Sequence, residues 1–255
     1  MNANDVPIRI ASTTLLVRDN GGPEVLMVKR NQKIDFFSGA MMFPGGKVEP
    51  QDTDPLWTKR ATGWHDVAGD ERGPRIAALR EAFEECGVLA TAGNVRLDAR
   101  ETKEARAAVE AGTLPFLDYV SSKGAKLDLT QMTLFSRWLT PPVVPKRFDT
   151  FFYLVAMPVG QTIVHDGRET VENEWVAPTE ALRRAEAGER TILFPTRMNL
   201  RLLAQSQSIV EAIKSAEARP HRQVLPIVEM RGGERFLRLV DEDGYGPVEE
   251  PLAIG

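Results

Sequence analysis

The chain has 255 residues, 42% hydrophobic and 27% charged, enough to close a sizeable core and too apolar for disorder as its main state. Its 32 basic residues nearly balance 36 acidic ones, for a formal charge of -4, so no broad cationic field is available to hold a nucleic-acid backbone. No stretch is apolar enough to span a bilayer, and a small anionic ligand would need locally placed cations or a metal ion.

The first residues, MNANDVPIRIAS, lack the basic start and apolar run of a signal peptide. Cys86 is the only cysteine, so no internal disulfide forms, and a cytoplasmic protein is expected. In chain order, branched and aliphatic residues over 9–17 and 25–29 flank Asp19-Asn20-Gly21-Gly22, which predicts a β-hairpin. Residues 36–46 are rich in Gly, Phe and Met and end in Pro44-Gly45-Gly46, a sequence that forbids helix and lets a backbone approach something closely. Residues 51–74 are polar and irregular, with Trp57 and Trp64 among them.

The strongest helix covers 75–86, opened by Gly73-Pro74 and stopped by Gly87. Two more helical stretches, 101–111 and 116–123, each run into a glycine, Gly112 or Gly124. Strand signals return at 132–139, 148–157 and 171–176. A short helix over 178–187 and a longer one from Thr196 to about residue 216 follow, and 224–230 with 236–240 predicts a terminal hairpin around Arg231-Gly232-Gly233. The sequence contains no internal repeat.

At about 100° per residue, the helix over 75–86 places Ile76, Leu79 and Phe83 on one side and Glu81, Glu84 and Glu85 on the other. Like charges this close on a helix repel by a few tenths of a kcal/mol per pair, so a cation belongs among them. Mg2+ and Mn2+ are hard ions that take oxygen ligands, and a carboxylate trio completed by phosphate oxygens suits either. Arg80, between the two faces, is placed to orient one carboxylate. The other reading of this helix alone is a solvated acidic face.

The segment Arg80-Glu81-Ala82-Phe83-Glu84-Glu85-Cys86-Gly87-Val88 resembles the second half of the Nudix box, G-x(5)-E-x(7)-R-E-U-x-E-E-x-G-U. Gly46 opens the first half, and Asp52 stands where the family has its first Glu. Ala82 replaces a bulky residue, and the linker over 53–79 is about twenty residues longer than the family spacing. A long insertion at this place is also found in the peroxisomal coenzyme A diphosphatase branch. That branch is similar as well at Lys146-Arg147-Phe148-Asp149-Thr150 and at Glu174-Trp175 before Pro178.

The resemblance implies a Nudix-type α/β/α sandwich with a mixed sheet over residues 1–203, with the insertion at about 53–74, and a C-terminal helix and hairpin extension over 204–255 that is a candidate for homodimer contacts. It implies Glu81, Glu84, Glu85 and the backbone of Gly45 as metal ligands for Mg2+ or Mn2+, with Gly46 as a further backbone candidate. Glu84, Glu85 and Arg80 would serve catalysis. Family members often take a general base from before a late strand, where Glu169, Glu172 and Glu174 are candidates and the last two are favoured by their place beside Trp175; simple exposure on one strand face is the competing reading.

Gly39-Ala40-Met41-Met42-Phe43-Pro44-Gly45-Gly46 fits the end of a second signature of coenzyme A hydrolases, but Asp35 occupies its Arg position. The implied substrate is a nucleotide conjugate, coenzyme A or acyl-CoA, with an ADP-sugar or NADH as the alternative and a non-catalytic nucleotide-binding regulator as the alternative of another class. Arg30 with Lys33, or Lys146 with Arg147, are candidates to hold a substrate phosphate, with Gly45 and Gly46 lining its site. Trp57 and Trp64 suggest either a lid over the substrate or a surface excursion packed on the domain. Gly45-Gly46-Lys47 is no Walker motif, and His65, His165 and His221 have no partners at metal-ligand spacing.

Overall fold

A computed structural model describes residues 6–31, 39–93, 95, 97–163, 170–240 and 244–252. The elements run β1 (Ile8–Asp19), β2 (Pro23–Arg30), β3 (Met41–Met42), β4 (Gly45–Lys47), β5 (Ala61–Thr62), α1 (Arg72–Cys86), α2 (Ala99–Glu110), α3 (Phe116–Ser122) and β6 (Leu127–Asp128). They continue with β7 (Met132–Leu139), β8 (Arg147–Ala156), β9 (Thr170–Val176), α4 (Pro178–Glu186), α5 (Phe194–Leu203), α6 (Ile209–Ala218), β10 (Gln223–Val224), β11 (Ile227–Arg231), β12 (Glu234–Leu239) and β13 (Val248–Pro251).

The first hairpin forms as its turn sequence dictates, Val17 opposite Val25, with Gly21 at φ 73° in the region a side chain avoids. β1 is also the axis of a mixed sheet ordered β10-β7-β8-β1-β2-β3, with β4 paired to β1 and β9 to β2. Its other neighbour, β8, is parallel, from Ile8 opposite Arg147 to Val17 opposite Ala156. Alternation along these strands feeds two cores. Leu16, Leu26, Val28, Phe151 and Tyr153 pack under α1, whereas Leu15, Val17, Val25, Met27, Phe152 and Leu154 pack under α4, α5 and α6. The layers are therefore helix, mixed sheet, helix.

The insertion packs on the α1 side. Trp57 is 1% exposed, its Nε1 donates to the Gln51 carbonyl at 2.9 Å, and its ring lies 5.7 Å from that of Phe116. Trp64 joins the same core. Both indoles are thus consumed by packing, which removes the lid reading and leaves the packed excursion.

Three local expectations change. The long helix from Thr196 is two helices, because Ala204, Gln205 and Ser206 close α5 and the Ser208 side chain accepts from the Glu211 N–H to start α6. α5 begins earlier, with Pro195 in its first turn. Val224 leaves the terminal hairpin to pair β10 with β7, and a third strand, β13, joins β11 and β12. Leu237 and Leu239 of this small sheet enter the second core, Trp138 Nε1 donates to Tyr245 Oη at 3.1 Å, and Arg197 pairs with Glu250, so the C-terminal sheet is docked on the body. No helix among the described residues is long and apolar enough to cross a membrane.

Candidate active site

The site is built where α1 crosses β4. Helix α1 ends at Gly87, left-handed at φ 74°, whose N–H satisfies the Phe83 carbonyl. Its apolar residues Ile76, Leu79 and Phe83 lie in the core as the helix wheel requires, but the opposite side is buried too. Arg80 is 2% exposed, Glu81 9% and Glu85 5%, which overturns the reading of a solvated acidic face. Carboxylates this dry need compensating positive charge.

The backbone of β4 presses directly on this turn. Gly46 stands opposite Ser12 of β1, on the sheet face that meets α1, and a Cβ built on Gly46 would lie 2.3 Å from Glu81 Oε1. Only glycine leaves that carboxylate its place. We expect Gly46→Ala to lower kcat by about tenfold or more, by displacing a functional side chain about 1 Å, while leaving the thermal midpoint within a few degrees. Parallel kinetics and calorimetric melting check it, and a full-activity variant would show that Glu81 needs no fixed position.

Arg80 is the hub. Its Nε and Nη2 donate to both oxygens of Asp52, at 2.9 and 3.0 Å, and Nη2 also donates to the Lys47 carbonyl at 2.9 Å. Nη1 donates to Glu81 Oε1 at 2.9 Å and to the two Glu84 oxygens at 3.2 and 3.1 Å. Burial pulls the guanidinium's pKa down, but the hydrogen bonds with Asp52 and the charges of Glu81, Asp52 and Glu84 outweigh it, so Arg80 remains protonated. Asp52 in turn accepts the Glu49 N–H at 2.8 Å, which locks the shorter Asp side chain into the two-pronged pairing.

One guanidinium faces three carboxylates, so negative charge is in excess. Burial, with Glu49 and Asp52 adding to it, lifts the Glu84 carboxyl to about 7 against the pull of Arg80. Arg106 of α2 anchors the same residue from behind, its Nε and Nη2 donating to the Glu84 carbonyl at 3.1 and 2.8 Å. The sequence gives no sign of that contact.

All the donors here are oxygens, with the carboxylates of Glu81 and Glu85 buried and that of Glu84 partly buried on one helical turn beside a glycine strand, and this chemistry fits a hard divalent cation. The arrangement is held in by Arg80, however. Among the described residues no group of three His, Cys, Asp or Glu side chains converges to hold a metal ion, because Glu81 and Glu84 both turn to Nη1. A cation and a proton therefore compete for Glu84. Its raised pKa means that its contribution to stability without metal is fully present below the ordinary 4.5 and lost as pH rises through about 7. Apparent Mg2+ affinity should accordingly rise by up to tenfold per pH unit below about 7 and flatten above it, as measured by calorimetric titration; a pH-independent affinity would remove Glu84 from the ligand set.

The structure does not bring Glu172 and Glu174 together with this turn. Glu172 and Glu174 stand opposite Lys29 and Met27 of β2, and Met27 lies in the core on the face away from α1. Glu172 accepts from Arg190 at 2.6 Å and Lys29 at 3.3 Å, and Glu174 from Arg184 at 3.0 Å. These ion pairs, the hydrogen bond from Arg190 above all, hold the Glu172 carboxyl below its ordinary range. Both carboxylates are thus engaged in ion pairs on the sheet face away from α1. We expect Glu172→Ala and Glu174→Ala each to keep kcat within about threefold of the parent, the scale of a partly exposed ion pair. A hundredfold loss would return the base to β9.

Arg147 is 8% exposed and gives its Nε to the Thr140 carbonyl at 3.1 Å. Its strand neighbour Phe148, with Lys146, instead lines a cavity of about 470 Å³ on the face away from α1, which Gly45, Gly46 and Lys47 bound at one end. The Arg30 side chain, Lys33, His165 and Glu169 lie outside the described residues.

A family model described as the NUDT19 Nudix domain matches residues 60–203. The chain is 27% identical over 204 residues to acyl-coenzyme A diphosphatase NUDT19 of Xenopus laevis, covering 62% of this chain and 54% of that protein. It is 32% identical over 183 residues to putative nudix hydrolase 7 of Caenorhabditis elegans, covering 71% and 56%. The chain thus spans about half the length of these curated relatives. A solved structure, a NUDIX hydrolase from Alicyclobacillus acidocaldarius, is similar with a TM-score of 0.73 at 28% identity, covering 82% of this chain and 97% of that one.

Proposed function

Because the chain belongs to the Nudix hydrolase family, we propose that it is a divalent-metal-dependent hydrolase of the diphosphate bond in coenzyme A or acyl-CoA, releasing 3',5'-ADP and phosphopantetheine or its acyl form. The observation that carries the reading is the buried turn of Glu81, Glu84 and Glu85, ordered by Arg80 and pressed against Gly46. The names of the relatives, acyl-coenzyme A diphosphatases among them, support the substrate class.

Water attacks one phosphorus, the bridging P–O bond breaks, and the water proton leaves to a carboxylate or solvent. Bound Mg2+ or Mn2+ would supply neutralisation of the diphosphate and acidify that water. The chain's own residues do the positioning. Glu81, Glu84 and Glu85 are the proposed ligands, with the Gly45 backbone as a further one, and Arg80 fixes the carboxylate rotamers through Asp52 and Lys47. With Glu172 and Glu174 on the other sheet face, the catalytic carboxylates are assigned to Glu84 and Glu85.

Turnover of coenzyme A, acyl-CoAs, ADP-ribose and NADH with Mg2+ or Mn2+, with and without chelator, tests this by chromatography of the products. The expected result is 3',5'-ADP from coenzyme A substrates, at about tenfold or higher kcat/KM than for ADP-ribose or NADH, and none with chelator. A preference for ADP-ribose or NADH overturns the substrate, and nucleotide binding without turnover of any of them overturns the enzyme.

A further inference from the structure

Building on the coenzyme A reading, we propose that the cavity on the sheet face away from α1 receives the S-acyl-pantetheine arm of the substrate, and that the C-terminal sheet β11–β13 forms the wall that selects acyl length. The first observation is continuity. The strand β4 has two sides: Gly46 meets Glu81, whereas Gly45 and Lys47 stand opposite Thr13 and Ala11, and both pairs line the cavity. A single three-residue strand therefore separates the carboxylate turn from a space of about 470 Å³, in the size range of small-molecule sites. A substrate whose diphosphate reaches Glu81 has this space for one of its two arms.

The second observation is which arm the walls suit. Among the described residues no Asp, Glu, Asn or Gln side chain lines the cavity, so none of them offers a carboxylate or carboxamide to the amine edge of adenine. Arg197 is committed to the Ile192 carbonyl and to Glu250. Lys47 and Lys146 also reach the lining, but most of the walls are alkyl and aromatic surface with scattered threonine hydroxyls, suited to a chain of methylenes, amides and a thioester.

The third is what closes it. Leu237, Pro251 and Leu252 come from the C-terminal sheet, facing Val144 and Phe148 of the β7–β8 connection and its following strand. The sheet is pinned there by Arg197 with Glu250 and by Trp138 with Tyr245. A chain lacking this sheet would leave the cavity open on that side. Each methylene of an acyl group buried against it should raise kcat/KM about threefold to fourfold until the space is full.

Leu252→Trp and Val144→Trp fill the cavity from two half-buried positions on separate segments, so failure of one to fold leaves the other as the test. In each folded variant the kcat/KM ratio of octanoyl-CoA to coenzyme A is expected to fall at least tenfold. An unchanged ratio in both, or an equal loss for the two substrates, overturns the proposal. Binding of S-octanoyl-pantetheine, which has no diphosphate, is measured alongside by calorimetry with chelator present. The wild type should bind it and the tryptophan variants should not. If the wild type turns over no coenzyme A substrate, the functional reading fails, and this binding result alone then upholds or overturns the assignment of the cavity.

Discussion

Replacing Glu84 with glutamine should lower kcat by about a hundredfold to a thousandfold while the protein remains folded. The amide keeps an oxygen for Arg80 Nη1, now 3.1 to 3.2 Å from the Glu84 carboxylate, so the buried network loses a charge without losing its shape. It does lose the anion that a divalent cation requires. The hydrogen bonds from Arg106 go to the Glu84 carbonyl and survive the change. Steady-state kinetics at saturating Mn2+ beside a thermal melt checks both halves. Loss of activity with loss of structure would make the residue structural, and retained activity would place the chemistry elsewhere.

Arg80→Ala should be the most destabilising single change in the site. It strands Asp52, 1% exposed, and leaves Glu81 and Glu84 facing each other without the shared guanidinium. Removing one partner of a buried ion pair costs about 3–5 kcal/mol, because the charge left behind is neither hydrated nor paired. For a chain of this size that corresponds to a fall in Tm of about 6–20 °C. Asp52→Asn should cost less, since an amide oxygen at the Oδ2 position still accepts from Arg80 Nη2 and the Glu49 N–H, and only the bond from Arg80 Nε is lost. Saturating Mg2+ should recover part of the Arg80→Ala loss by neutralising the freed carboxylates. A drop of less than about 1 kcal/mol in metal-free protein would mean that the carboxylates simply protonate when Arg80 is gone.

Much of this was legible in the residues. The turn Asp19-Asn20-Gly21-Gly22 and the alternation on either side of it dictate the hairpin, and three glutamates within about a turn of one helix mark a place where repulsion must be answered. The identity of the answer was only half visible. Arg80 meets Asp52 across 28 positions of sequence, a pairing that periodicity cannot reach; the resemblance marked Asp52 only as standing where the family has its first Glu. Arg106 could not be found at all, since an arginine on α2 reads as an ordinary surface cation until the helix is docked against α1.

The face that Glu172 and Glu174 occupy was out of reach for the same reason. Alternation establishes that they share a face of β9, but which face is decided by the register of Lys29 and Met27 on β2. The break between α5 and α6 lies in a segment whose apolar spacing continues smoothly, and the cap at Ser208 decides against it. β13, Val-Glu-Glu-Pro, is too polar to announce a strand, yet it helps wall the cavity.

Binding of Mn2+ to the unmodified protein and to the triple variant Glu81→Gln, Glu84→Gln, Glu85→Gln, followed by electron paramagnetic resonance at pH 8, tests the central claim most directly. The account predicts bound Mn2+ in the unmodified protein and loss of at least a hundredfold in affinity in the folded triple variant. Equal binding by the two would contradict it, since the buried turn of α1 would then not be where the metal resides.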